Sequence, residues 1–304
     1  MLWKLAHFFV YSCILRSVEA VGYNISISDD RRAPTPCAAY LLILSTISSV
    51  PNRAAVRSGW LSNLMHLHRP MVFQYKFVVG HEPGTKYSDT YVKLRSEILQ
   101  YNDILVLPFD DNYWNLTIKV SLMFKWPTIV DECKILIKID DDVHLRAHRL
   151  SAMIRNLPNF PVYGGYVYDE ANRTSGVSRD VNNRHSFTIE EMPEAIFKPY
   201  AGGPVYFMSS EVAKKIPYTI VPIPKPNGDI EFVPDTYLAV PRPPLYKLED
   251  AYLGTLVGKM NRSDVTFWHI ENFFAESRFP TKTAIALHGI KDLSLIRNGY
   301  YHFG

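Results

Sequence analysis

The first half of the chain alternates short apolar runs with segments whose apolar residues recur at helical spacing. Apolar runs bounded by proline, glycine or asparagine are typical of buried strands, and spacings of three and four are typical of amphipathic helices. The alternation predicts an α/β, Rossmann-like fold: a mostly parallel sheet flanked by helices, with a ligand crevice at the carboxyl ends of the strands. The predicted strands are Ala38–Thr46, Tyr75–Gly80, Ile104–Pro108, Ile135–Ile139, Val162–Val167 and Val205–Met208, and the predicted helices are Arg53–His68, Thr90–Tyr101, Leu116–Val130 and Arg149–Asn156.

The strand Ile135–Ile139 ends at three consecutive acids, Asp140, Asp141 and Asp142. A buried strand does not carry such charges without a strong compensating partner, and a divalent cation is one such partner. Mg²⁺ or Mn²⁺ binds through one or two carboxylate oxygens while substrate phosphates fill the remaining positions. The cluster therefore indicates a metal–diphosphate site, and the alternative is a solvated acidic turn.

The amino terminus has the pattern of a secretory leader. A mostly apolar span, Leu5–Leu15, lies between Lys4 and Arg16 and is too short to cross a bilayer easily. We expect residues 1–20 to form a signal peptide or a short type II signal anchor.

The rest of the chain divides into a short polar stem, residues 21–37, and one folded domain, residues 38–304. Within that domain, residues 221–245 are rich in proline, which is incompatible with a helix or a central strand. We expect a surface excursion there, which is either a lid or an insertion without a role in chemistry.

Charge and cysteine content narrow the choice of partner and compartment. The net charge is +3, from 33 basic and 30 acidic residues without a long basic run, so the sequence gives poor support to a nucleic-acid partner. Three cysteines are present: Cys13 lies in the leader, and Cys37 and Cys133 each precede a predicted strand. This pair forms either one disulfide, if the two strands are neighbours in an oxidising compartment, or two separate buried thiols.

Five motifs in fixed order give the chain a family resemblance. Together they span about residues 40–290. They are Asn52-Arg53 with Arg57 and Trp60; Glu97 and Tyr101–Leu105 running on to Phe109, Asp110, Tyr113, Asn115–Thr117 and Lys119; Lys138 with Asp140–Asp142; Lys198–Tyr200 with Gly202-Gly203; and Leu248–Asp250 with Gly254. In these motifs the chain resembles the inverting β-1,3-galactosyltransferase and β-1,3-N-acetylglucosaminyltransferase family, glycosyltransferase family 31.

The resemblance implies a GT-A fold, a UDP-sugar donor and a Mn²⁺ ion that bridges the diphosphate. It also implies a Golgi membrane enzyme of single-pass type II topology with a lumenal catalytic domain; cleavage of the leader would give a secreted soluble form. The roles that it implies for individual residues are as follows: Asp142 and His288 as metal ligands, Asp250 as the catalytic base, Asp140 and Asp141 near the ribose or sugar of the donor, Arg53 and Arg57 near the nucleotide, and Gly202 and Gly203 at the donor sugar.

Each role has a plain structural alternative. Asp250 could be an acid in the first turn of a helix, stabilised by the helix dipole. His288 could be an ordinary partly buried histidine, and Arg53 and Arg57, one helical turn apart, could lie on a solvated face. Gly202 and Gly203 could form only a turn.

The expected activity is transfer of a hexose, galactose in the first place and N-acetylglucosamine in the second, from UDP to a glycan hydroxyl with formation of a β-1,3 bond. The acceptor glycan would belong to a glycoprotein or glycolipid. Two departures from the family pattern affect acceptor recognition: the proline-rich excursion precedes Asp250, and a tryptophan common before Lys198 is absent. The rival hypothesis is therefore a catalytically silent secretory protein that keeps the fold and binds glycans or partner proteins.

Overall fold

The computed structural model of the protein describes most of the predicted folded domain. The described ranges are 37–67, 71–81, 89–130, 133–171, 173–216, 220–224, 230–234, 247–261 and 263–298. The predicted leader, and the predicted stem apart from Cys37, lie outside them. Within these ranges no helix combines the length and the apolar character needed to cross a bilayer.

A seven-stranded sheet forms the centre of the fold, in the order β10-β6-β7-β4-β1-β2-β3. Neighbours pair in parallel except at β7, which is antiparallel to both β4 and β6. Its strands are β1 (Cys37–Leu44), β2 (Val72–His81), β3 (Ile104–Asp110), β4 (Ile135–Asp140), β6 (Val162–Tyr168), β7 (Tyr200–Ser209) and β10 (Thr266–His269).

Helices cover both faces of this sheet. Their bounds are α1 (Val50–Val56), α2 (Ser62–Leu67), α3 (Asp89–Tyr101), α4 (Leu116–Lys125), α5 (Pro127–Val130), α6 (Ala147–Arg155), α7 (Ser210–Lys215), α8 (Glu249–Val257) and α9 (Leu293–Asn298). The predicted α/β class, with a mostly parallel sheet flanked by helices, is confirmed.

The alternation of side chains along β1 divides the apolar interior into two cores. Leu41 and Ile43 point to one face, where they join a core that includes Trp60 and the helices after β1. Tyr40 and Leu42 point to the other face and join a core formed with α4, α7 and α8. Because successive strand residues face opposite sides, one apolar run supplies both layers.

Two predicted helices are interrupted where a single residue breaks the regular backbone. The helix after β1 contains a π-helical turn, Arg57–Leu61, at Gly59, where an added Cβ atom would lie 2.5 Å from the Cα atom of Arg297. The predicted helix Leu116–Val130 is divided between α4 and α5 at Pro127, which has no N–H group to donate. The predicted positions of both helices are correct. The interruptions lie at Gly59, where the backbone is closely packed, and at Pro127, which lacks an N–H group.

A disulfide joins the amino ends of β1 and β4. Cys37 and Cys133 are bonded, with their Cα atoms 4.5 Å apart. The parallel pairing of the two strands, with Ala39 opposite Ile135, brings the residues just before them together. The structure therefore decides between the two alternatives in favour of one disulfide.

Two small sheets complete the described part of the chain. One contains β5 (His144–Leu145), β11 (Phe274–Glu276) and β12 (Ala286–His288), which lie beyond the end of β4. The other is an antiparallel pair, β8 (Ile220–Pro224) and β9 (Ile230–Pro234), within the region predicted as a proline-rich excursion. Residues 225–229 and 235–245 of that region lie outside the described residues.

The disulfide closes a loop with a sequence separation of 96 residues, so its loss should destabilise the domain. We expect the double variant Cys37→Ser/Cys133→Ser to lose about 2–5 kcal/mol of unfolding free energy, because the cross-link restricts the unfolded chain. Urea denaturation followed by tryptophan fluorescence measures this change. Dithiothreitol should shift the midpoint of the wild type and not that of the variant; an identical wild-type midpoint with and without reductant would contradict the prediction.

Candidate active site

The three acids lie at the carboxyl end of β4, in the middle of the large sheet. Asp140 is the last residue of the strand, and the backbone N–H of Asp141 donates to the carbonyl of Leu44 at the end of β1. The Asp141 carboxylate accepts a hydrogen bond from Ser45 Oγ at 2.6 Å. Burial and the negative charges of Asp140 and Asp142 raise the pKa of Asp141 to about 6. All three acids are partly buried, and Asp141 is anchored to the end of β1, so they do not form a fully solvated turn.

A potential metal site is formed by Asp140, Asp142 and His288. One ligand atom of each lies within 4.8 Å of the others, and His288 Nε2 is 3.7 Å from Asp142 Oδ2. Asp142 Oδ1 is buried and accepts no hydrogen bond from any residue in the described ranges. Carboxylate oxygen and imidazole nitrogen are suitable ligands for Mn²⁺, and a buried oxygen without a donor fits a cation better than it fits an apolar wall. We name these three residues the metal triad.

Glu276 holds the histidine of the metal triad in place, and sequence reasoning missed this residue. In the pairing of β11 with β12, Glu276 is opposite His288. Its Oε1 atom lies 3.0 Å from His288 Nδ1, which leaves Nε2 directed towards Asp142. A carboxylate behind a ligating histidine fixes the orientation of the ring. The short strand β11 carries no periodic signal that would have pointed to this glutamate.

Asp250 lies in the first turn of α8 and reaches back to β7. Its Oδ2 accepts a hydrogen bond from the N–H of Gly203 at 3.0 Å, and its Oδ1 accepts one from the N–H of Ala251 at 2.7 Å. Burial, together with the negative charge of Glu249, raises the pKa of Asp250 to about 7. A carboxyl group that titrates near neutral pH suits a general base. The position in a first helical turn is confirmed, and the role of catalytic base stays a prediction.

Lys138 connects the metal triad with the candidate base. Its ammonium group lies 2.7 Å from Asp140 Oδ1 and 3.3 Å from Glu249 Oε1, and it donates to the carbonyl of Gly203 at 3.2 Å. The side chain is buried, and the surrounding carboxylates raise its pKa despite the desolvation that opposes the charge. The ammonium group of Lys138 thus links the end of β4, the start of α8 and β7, the strand whose Gly203 binds Asp250.

Gly202 and Gly203 lie inside β7 rather than at a turn, so the turn interpretation is wrong. Gly203 has φ +86, which few residues other than glycine adopt. This conformation presents its N–H to Asp250 and its carbonyl to Lys138. The glycines therefore shape the backbone next to the candidate base, and the donor contact expected of them stays a prediction.

Arg53 and Arg57 form an internal ion-pair network instead of a solvated helix face. Arg53 is 0% exposed and contacts Glu97 at 2.7 Å. Arg57 contacts both Glu97 and Asp103, each at 2.7 Å. Arg53 also donates to Ser45 Oγ, the same hydroxyl that donates to Asp141. The solvated-face alternative is wrong, and the predicted role near the nucleotide stays a prediction.

Comparison with known proteins identifies the family. The model of the family described as Galactosyltransferase matches residues 51–224, more than half of the chain. The chain belongs to the galactosyltransferase family. The matched residues contain the three acids and the two glycines, whereas Asp250 and His288 lie beyond them.

Relatives of this galactosyltransferase-family protein transfer several sugars. Hydroxyproline O-galactosyltransferase GALT5 of Arabidopsis thaliana is 28% identical over 197 residues, which cover 64% of this chain and 28% of that protein. UDP-GalNAc:beta-1,3-N-acetylgalactosaminyltransferase 1 of Rattus norvegicus is 25% identical over 272 residues, which cover 84% of this chain and 71% of that protein. The chain spans just over a quarter of the length of the two Arabidopsis hydroxyproline galactosyltransferases that it matches.

Solved structures that align with this chain include the galactosyltransferase LgtC in complex with donor and acceptor sugar analogs. The alignment covers 82% of this chain and 86% of that chain, with 10% identity and a TM-score of 0.38. A glycosyltransferase involved in glycosylation of the major capsid of PBCV-1 aligns over 86% of this chain and 97% of that chain, with a TM-score of 0.42.

Loss of either a triad ligand or its support should weaken Mn²⁺ binding, measured by isothermal titration calorimetry. We expect Asp142→Ala to abolish binding and donor turnover, because it removes the buried carboxylate oxygen. Glu276→Gln should weaken binding roughly 10- to 100-fold, because His288 loses its orienting carboxylate.

Glu271→Gln is the matched control for Glu276→Gln, since Glu271 also contacts a histidine, His269, at 3.0 Å. This control should bind Mn²⁺ like the wild type. Wild-type affinity in Asp142→Ala would show that the triad is not the metal site.

Proposed function

We propose that this protein is an inverting, Mn²⁺-dependent transferase that moves galactose from UDP-galactose to a hydroxyl of a glycan and forms a β-1,3 bond. One observation carries the proposal: Lys138 contacts both the metal triad, at Asp140, and the helix that presents Asp250. Three residues that could hold a cation, and a carboxyl group whose pKa burial raises to about 7, are therefore linked through one buried lysine. Family membership supports the same class of reaction.

The proposed step needs one proton transfer and one displacement. Asp250 takes the proton of the acceptor hydroxyl while that oxygen bonds to the anomeric carbon of the donor sugar. The bond from this carbon to the β-phosphate oxygen breaks, and UDP leaves with the bonding electrons. A divalent cation bound at the triad supplies positive charge for the diphosphate. Because attack and departure occur on opposite faces, the configuration inverts without a covalent intermediate.

Galactose is the proposed donor sugar because the family carries the description Galactosyltransferase and a plant relative is named for galactosyl transfer. The relatives also include an N-acetylgalactosaminyltransferase and a lactosylceramide N-acetylglucosaminyltransferase. Heat protection by each of the three UDP-sugars in the presence of Mn²⁺ separates these donors, since a bound ligand raises the unfolding temperature.

The Golgi lumen is the proposed compartment, with attachment through the amino-terminal segment. The disulfide between Cys37 and Cys133 supports an oxidising compartment, because such bonds are rare in the cytosol. The acceptor glycan on a glycoprotein or glycolipid belongs to the same proposal.

Replacement of the base should separate transfer from donor binding. We expect Asp250→Asn to lower the rate of sugar transfer by about 10²–10⁴-fold, since an amide cannot take the proton. UDP and Mn²⁺ should protect this variant against heat as they protect the wild type. Undiminished transfer by purified Asp250→Asn would refute the assignment of the base.

The pH dependence of transfer should follow the ionisation of Asp250. Its raised pKa means that the active carboxylate form is lost as the pH falls through about 7, so kcat/KM should decrease below that pH. Glu249→Gln removes the neighbouring negative charge that raises this pKa, and the decrease should then occur at lower pH. A pH–rate profile of kcat/KM measures both effects, and an acid limb that Glu249→Gln leaves in place or moves upward would contradict the explanation.

A catalytically silent protein is distinguished from the proposed enzyme by donor hydrolysis. Transferases release sugar to water slowly without an acceptor, so UDP formation from UDP-galactose with Mn²⁺ should be detectable in the wild type. Asp142→Ala should abolish it. No UDP formation and no transfer from any of the three donors would leave the silent protein as the better explanation.

A further inference from the structure

Three half-buried aromatic side chains form a continuous surface next to the candidate base. Tyr166 and Tyr168 lie on β6 with ring centroids 5.1 Å apart, and Phe274 on β11 lies 6.0 Å from Tyr166. We name this surface the aromatic shelf. Other large aromatic residues of the same strands and their neighbours, such as Tyr163 and Phe273, are fully buried. The shelf therefore differs from the core rings in that part of each ring remains at the surface.

The shelf lies directly beside the backbone that binds Asp250. A Cβ atom at Gly203 would lie 2.9 Å from the Phe274 ring, and one at Gly202 would lie 2.5 Å from the Tyr168 ring. The N–H of Gly203 is the group that donates to Asp250. The rings of Phe274 and Tyr168 thus pack against two glycines, one of which binds the carboxylate that would take a proton.

The same shelf reaches towards the metal triad. Phe274 and Glu276 are two residues apart on β11, so their side chains share one face of that strand. Glu276 contacts His288 of the triad. The shelf therefore extends from the backbone beside Asp250 to the strand that carries Glu276, in the region where two sugars must meet if the proposed reaction occurs.

The tyrosine hydroxyls of the shelf are available for hydrogen bonds. Within the part of the chain that the structure describes, neither Tyr166 nor Tyr168 uses its hydroxyl in a hydrogen bond. Burial raises the pKa of Tyr168, and the negative charges of Asp250 and Glu276 add to this effect. Tyr168 therefore lies within electrostatic reach of both Asp250 and Glu276.

We propose that the aromatic shelf binds the pyranose ring of the acceptor sugar. The inference rests on the proposed function, since the hydroxyl that loses its proton must lie against Asp250. A sugar ring presents C–H groups on its faces and hydroxyls on its rim, which matches aromatic rings that carry tyrosine hydroxyls. The shelf sets which sugar and which hydroxyl face the base.

Simple glycosides test the shelf, because they carry the pyranose ring that any glycan acceptor presents. The probes are the methyl β-glycosides of galactose, N-acetylglucosamine and N-acetylgalactosamine, added to protein saturated with UDP and Mg²⁺. Saturation-transfer NMR should show magnetisation transfer from aromatic protons to ring protons of at least one glycoside. Phe274→Leu should weaken its binding roughly three- to tenfold, because an aliphatic side chain loses the aromatic face.

Kinetics with the best glycoside separate acceptor from donor contacts. Phe274→Leu should raise the acceptor KM by a similar factor and change the donor KM by a clearly smaller factor. Tyr168→Phe keeps the ring and removes only the hydroxyl, so it should raise the acceptor KM even if Phe274→Leu fails to fold. Phe160→Leu is the control and should leave the acceptor KM unchanged. This exposed ring precedes the first residue of β6, whereas the shelf tyrosines lie near the last residue of that strand.

Two kinds of result overturn the inference. The first is an NMR result: the protein binds UDP but shows no magnetisation transfer to any glycoside, or all variants bind the glycoside with the affinity of the wild type. The other is a donor KM that rises together with the acceptor KM, which would assign the shelf to the donor sugar. Absence of heat protection by UDP-sugars in the wild type is a different result, because it would remove the proposed function itself.

Discussion

The buried ammonium group of Lys138 is the interaction on which the site depends. It is surrounded by the carboxylate of Asp140, the carboxylate of Glu249 and the carbonyl of Gly203, which lie on three different elements. A buried cation is costly without partners, and acids crowded at a strand end are costly without a cation. Their mutual compensation explains how β4, β7 and α8 converge at one point. Asp250 lies at the same point, because it follows Glu249 on α8 and accepts a hydrogen bond from the N–H of Gly203.

A second buried network supports the acids from behind. Ser45 donates to Asp141 and accepts from Arg53, which in turn pairs with Glu97. Lys119 donates to the carbonyl of Ser45 and pairs with Asp111. Charged hydrogen bonds of this kind hold a loop more rigidly than apolar packing alone, because each donor has a defined direction. Arg53 thus connects to the acids through Ser45, and Arg57 joins the same network through Glu97.

Several features of the fold follow from local pattern alone. The apolar run before Asp140 predicts a strand, and the alternating residues of that strand fill both cores. The spacing of Val56 and Trp60 predicts the helix that carries them, but it does not predict the π-helical turn at Gly59. At that turn Gly59 packs against Arg297, far away in sequence, and no local pattern encodes this contact.

By itself the sequence determined the alternation of strands and helices, the strand that ends in acids and, through five motifs in order, the family. Those properties are local, since hydrophobic period and residue type are written along the chain. The tertiary structure alone decided that Cys37 bonds to Cys133, that Glu276 supports His288, and that Gly203 presents its N–H to Asp250. Each of these contacts joins residues 12 to 96 positions apart, and only the pairing of strands and the packing of α8 on the sheet bring them within bonding distance.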